Sequence, residues 1–161
     1  MAVIAIGGGA YYVGLFGGDA LPDRLLETPL PADSYEGWRL TDPPSVMEGN
    51  DPEPGRVGEV VAHLGRESAT GSFIFSVFRT PAEATASFTD HSTFDAETTK
   101  LQQRFVSPAG NELSCFGGPS AAVCHALAGR TVVFARRDTT SVEDMTKIID
   151  ALAAHVSRLD R

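Results

Sequence analysis

Cys115 and Cys124 are the only cysteines, and the residues between them, Phe-Gly-Gly-Pro-Ser-Ala-Ala-Val, carry a turn signal at their centre. Strands at 112–117 and 122–127 that reverse through Gly118-Pro119-Ser120-Ala121 would set residue 115 directly opposite residue 124. A directly opposed, non-hydrogen-bonded pair brings its Cβ atoms about 4.5–5.5 Å apart, close to disulfide geometry. Pro119 fits the second position of a type I turn in that register. The spacing is neither the C-x-x-C of a redox centre nor a zinc knuckle, which leaves two unrelated buried thiols as the alternative to a bridge. A structural bridge persists mainly in oxidising compartments, so this pair already bears on location.

The first residues bear on it too. Ala2 to Gly18 (AVIAIGGGAYYVGLFGG) contains no charged side chain. As a helix, a run of this length would reach roughly 25 Å, the short limit for crossing a bilayer. Residues 1–19 are therefore expected to be an apolar membrane anchor or signal segment. Gly18-Asp19-Ala20 puts small residues where a signal peptidase reads, so secretion after cleavage at Ala20 is the alternative. A buried strand with a glycine turn is the third reading. Its strongest form, a dinucleotide fingerprint, fails because Tyr12 stands where the third small residue belongs after Gly7 and Gly9.

Beyond the leader, residues 20–35 read as a helical turn and a linker broken by Pro29 and Pro31. The domain itself is expected over 36–161. Trp38, in a short strand at 36–41, is expected to be a core anchor. Residues 42–55 hold four prolines and read as a loop. Strands are expected at 56–64 and 71–79, with GRESAT as the hairpin link and the second strand buried on most of both faces. Thr80-Pro81-Ala82-Glu83 is a capping box with proline at N1, starting a helix to about Asp90. The polar stretch 91–99 carries no periodic apolar signal. Strands at 100–106 and 112–116 follow, then a hairpin of 122–128 and 131–137 around Gly129-Arg130, a type II′ pair. In that register Val123, His125 and Leu127 share a face with Val132 and Phe134. Ser141 to Asp144 is a second capping box. Met145, Ile148, Ile149, Leu152, Val156 and Leu159 then recur at helical spacing to the C-terminus. The fold class implied is α+β: an antiparallel sheet of about five to seven strands with two helices packed on one face, preceded by an N-terminal apolar helix.

The chemistry-bearing residues are sparse. His63, His91, His125 and His155 form no H-E-x-x-H pattern. His125 is expected to be a core residue on an apolar strand face, His155 a surface or boundary residue, and His91 part of a solvated loop. Gly118-Pro119-Ser120-Ala121-Ala122 lacks the second glycine of a nucleophile elbow. Glu48, Asp51 and Glu53 only loosely match the spacing of a calcium loop, and Arg136-Arg137 is expected to pair with acids or water. No catalytic residue, metal or cofactor is assigned, and Cys115 and Cys124 are the one site pair. A net charge of −8 argues against tracking nucleic-acid phosphates, which requires a basic surface.

Leu25 to Pro31 (L-L-x-T-P-L-P), Val57 to Val60 (V-G-x-V), Phe75 to Phe78 (F-x-V-F) and two cysteines before a closing hairpin and helix resemble small exported proteins of actinobacteria. That resemblance implies a membrane anchor or signal followed by one domain, and brings no catalytic residues with it. The expected function is a non-enzymatic, single-pass extracytoplasmic domain that binds an envelope component, lipid or partner protein. The alternatives are an accessory subunit of a membrane complex and a small secreted hydrolase using His91 or His125.

Overall fold

The computed structural model describes residues 5–6, 9–10, 20–31, 35–47, 53–67, 69–99, 102–107, 110–118, 121–137 and 142–161. Within the leader, β1 (Ala5–Ile6) pairs with β2 (Gly9–Ala10). The apolar helix expected over 2–18 otherwise lies outside the described residues, as does the capping serine expected at Ser141. Among the described residues no helix is long and apolar enough to cross a membrane.

The domain is built on α1 (Ala20–Glu27), β3 (Arg39–Leu40), β4 (Ser45–Val46), β5 (Arg56–Arg66), β6 (Ala69–Phe78), α2 (Pro81–Thr99), β7 (Gln102–Val106), β8 (Glu112–Gly118), β9 (Ala121–Ala128), β10 (Thr131–Arg137) and α3 (Val142–Leu159). Seven strands form one sheet in the order β3-β5-β6-β10-β9-β8-β7, and β4 pairs with β5 on the edge that β3 also uses. Every pairing is antiparallel. The α+β class matches the sequence expectation, and the seven strands of the main order fall within the five to seven expected, with β4 as an eighth on the β5 edge.

Three details of the sheet trace to single residues. β5 and β6 run on to a pairing of Arg66 with Ala69, so the expected six-residue link shrinks to a tight turn. Glu67 adopts φ +55° there, a left-handed conformation that a non-glycine side chain tolerates only locally. At the other tight hairpin Gly129 takes φ +59°, as the first central position of a II′ turn requires. Between Arg56 and Gly58 the register shifts by a bulge, which turns the start of β5.

Alternation along the strands splits the side chains into two sets. Val60, Ala62, Leu64, Phe73, Phe75, Val77, Leu113, Ala126, Val133 and Ala135 point to one face and are buried. Met145, Ile148, Ile149, Leu152 and Val156 of α3 complete this core, as their helical spacing predicts. Trp38 joins it, edge-on to Phe73 at 6.2 Å, with Arg66 stacked over its outer side at 5.2 Å.

α1 docks on the same face. Leu21, Leu25 and Leu30 are buried in the core, so much of the segment expected to be a linker is packed structure. The prolines that suggested a linker fall after the helix, at Pro29 and Pro31. His155 is a correction that follows from this docking. It is buried rather than peripheral, because its Nε2 lies 2.7 Å from the carbonyl oxygen of Thr28, where it can donate.

α2 packs on the opposite face, which corrects the expectation of two helices on one face. Its Ala84 and Phe88 meet Phe78, Val132 and Leu127, all on the alternate side of their strands. The α3 face is already filled by α3 and α1, which leaves the other face as the place for Phe88 to be buried. The Thr80–Glu83 box forms as expected: the Thr80 amide donates to Glu83 Oε2 at 2.9 Å, and the Glu83 amide to Thr80 Oγ1 at 3.3 Å. The helix then runs to Thr99, well past Asp90. Thr85 and Thr89 accommodate it by donating to the carbonyls of Pro81 and Thr85, each at 2.8 Å.

Candidate functional site

The two cysteines form a disulfide, and Cys115 lies opposite Cys124 in the β8–β9 register with 4.1 Å between Cα atoms. Both are fully buried on the α3 face, where Cys115 Sγ lies 3.4 Å from Thr146 Oγ1 of α3. A bridge sealed beneath a helix is inaccessible to a substrate thiol, so its role here is to hold two central strands together.

The α2 face is more polar. His125 is buried on it, as expected, among Phe116 at 6.2 Å, Phe134 at 5.0 Å and His91 at 6.0 Å between ring centroids. His91 is thus on a helix over the sheet, not in a loop, although it remains exposed. Its Nδ1 lies 3.4 Å from Ser87 Oγ, one helical turn earlier. Ser87 is itself buried against the sheet, so this pairing does not offer an attacking hydroxyl to solvent. The nearby Ser92 hydroxyl is buried with no hydrogen-bond partner among the described residues.

Among the described residues α2 packs chiefly over β6, β10, β9 and β8 on this face, so that the sector towards β5 is the less covered. Its floor is Val61, which is buried, and Ile74 and Phe134, which are half-buried. These three stand side by side on β5, β6 and β10. The next row along the same strands is polar: His63, Ser72 and Arg136. His63 Nδ1 and Ser72 Oγ are 3.1 Å apart. On the other side of the floor Glu59 accepts from Arg56 at 2.5 Å and from Ser76 at 2.8 Å. Both contacts fall on Oε2, so this carboxylate links Arg56 of its own strand to Ser76 of the neighbouring β6. Met47, exposed and bonded through its amide to the Glu59 carbonyl at 3.0 Å, extends the apolar margin beyond β5.

The sector combines an apolar floor, a polar row on one side and a neutralised ion pair on the other. Such a mixture of apolar and hydrogen-bonding groups is chemically able to pack against a molecule with one apolar and one polar part. Sequence reading passed over it, because it treated residues 71–79 as buried on most of both faces. The signal was Ser72 and Ser76 flanking Ile74 on one parity of β6. Among the described residues no group of three or more His, Cys, Asp or Glu side chains could hold a metal ion. Glu48 and Asp51, from the loose calcium-like cluster, lie outside the described residues. No protein-family model, curated protein or solved structure matches the chain.

Proposed function

We propose that this chain is a membrane-tethered, extracytoplasmic binding domain, non-enzymatic, that takes an amphipathic envelope component in the open sector of its α2 face. The observation that carries the binding half is the half-burial of Ile74 and Phe134 between a polar row and the α2 helix. Apolar side chains left partly exposed together, next to hydrogen-bonding groups, are the usual lining of a small-molecule site. The occupant's apolar part would lie over Val61, Ile74 and Phe134. Its polar end, an acceptor or an anion, would meet Arg136, His63 and Ser72.

The cell-surface half rests on the disulfide, on the uncharged leader and on the resemblance to small exported actinobacterial proteins. It takes residues 1–19 as a single-pass anchor with the domain outside the cytoplasm. Secretion after cleavage at Ala20 keeps the same domain and loses the tether. Nucleic acid is not a partner on this reading, given the net charge of −8.

The test is extraction of the natively purified chain with organic solvent and mass spectrometry of the extract. An amphipathic molecule should be recovered from the wild type and lost from Ile74→Glu, which places a charge on the floor. Circular dichroism of the variant confirms that the fold persists. Identical extracts from both proteins would end the proposal.

A further inference from the structure

The strand registers give the sector towards β5 a width and a direction. Residues two apart on a strand are separated by about 6.7 Å, and neighbouring strands by about 4.8 Å. Val61, Ile74 and Phe134 stand in one row across β5, β6 and β10. The apolar strip they make is therefore roughly 10 Å long and a single residue wide. Polar rows flank it on both long sides. His63, Ser72 and Arg136 lie on one side, and Glu59 and Ser76 on the other. At one end Ser45, exposed on β4, pairs with Val61. At the other end Phe134 pairs with His125, which is buried. Met47 and Val123 add apolar surface at two opposite corners, diagonal to Val61 and Phe134. A strip of this width holds one chain or one ring and has no room for two chains side by side.

The two polar rows differ in what they can meet. Glu59 is closed by its own strand's Arg56 at 2.5 Å and by Ser76 at 2.8 Å, so a cationic group arriving there finds its counter-charge in use. The opposite row is made of donors. Arg136 and His63 are exposed, with the shorter Ser72 between them in the register. A guanidinium carries five N–H donors in a fixed fork, more than one partner uses, and the fork matches the two oxygens of a carboxylate. His63 Nδ1 lies 3.1 Å from Ser72 Oγ. Either tautomer leaves that pair one hydrogen to give. If the hydroxyl donates to Nδ1, the hydrogen is on Nε2; if Nδ1 donates, it is the one on Oγ.

We propose that the sector takes a carboxylic acid carrying one chain or one ring, with its carboxylate over Ser72 between Arg136 and His63. Its apolar part lies along Val61, Ile74 and Phe134. The inference rests on the sector reading above and is independent of where in the cell the domain resides. The acid cannot be reversed on the strip, because its charge would then meet Glu59.

The full chain, exhaustively dialysed, is titrated with octanoate, octylamine and dihexanoylphosphatidylcholine, each below its micelle concentration, and followed by amide shifts in 1H–15N spectra. Octanoate should move the amides of residues 72, 74, 134 and 136 saturably. Octylamine, with the same tail and the opposite charge, and the two-chain lipid should bind much more weakly. Arg136→Gln should lower octanoate affinity roughly tenfold and leave the remaining amides in place. Equal binding of octylamine or of the two-chain lipid, or an unaltered affinity in Arg136→Gln, overturns the carboxylic acid while leaving the sector a binding site. No movement of these four amides with any of the three probes overturns the site, and the sector reading with it.

Discussion

The face beneath α3 and the face beneath α2 use alternate residues of the same strands, yet they bury very different things. Under α3 the sheet presents Phe73, Phe75, Leu64 and Val133, and the helix answers with Ile148, Ile149, Leu152 and Val156 at every third or fourth position. Under α2 the inward helix residues include Ala84, Ser87, Phe88 and Ser92, with one large apolar side chain among them. The sheet below that helix offers His125 and Ser114 next to its aromatic rings. How completely a sheet face closes is therefore set by the apolar repeat of the helix laid across it. One face became a core. The other kept a partly exposed floor at Ile74 and Phe134.

The sharpest way to break this contrast is Leu152→Ala. A fully buried leucine in a filled core should cost about 3–4 kcal/mol, and the loss should appear as a single cooperative shift in denaturant unfolding. A much smaller loss would mean that the α3 face is no better packed than its opposite. Next is replacement of both cysteines by alanine. On the chain-entropy account, releasing a loop of about ten residues lowers stability by roughly 2–3 kcal/mol. Since β8 and β9 serve both faces, signals from α2 and α3 should fall together in thermal unfolding. Separate transitions would show that the bridge supports one face only. The smallest effect is expected from Thr80→Ala, which removes the hydroxyl of the α2 capping box at a cost of about 1 kcal/mol. In native-state hydrogen exchange it should speed amides 84–92 and leave amides 148–156 unchanged. Equal acceleration in both helices would show that α2 opens only with the whole domain.

The sequence made some of this plain. Cys115 and Cys124 could be set opposite each other from the turn between them, because register in a hairpin is a local property. α3 was legible from its repeat, and Thr80 to Glu83 from a box that needs only neighbouring residues. The side on which α2 packs was not legible, since the direction of a connection across a sheet depends on what already occupies each face. His155 looked peripheral because its partner, the Thr28 carbonyl, is 127 residues away in the chain. The open sector was missed for a related reason. Ile74 reads as buried in any alternating strand, and its partial exposure depends on where a helix of mixed polarity stops covering its neighbours.

The placement of the bridge orders the steps of maturation. Once α3 lies over Cys115, with Thr146 against the sulfur, no oxidoreductase can reach either thiol. Oxidation must therefore act on the bare β8–β9 hairpin, before the last eighteen helical residues of the chain settle over it. An enzyme that catalyses this bond would recognise a nascent ribbon, and the finished protein would carry the bond as a record of having passed through that encounter.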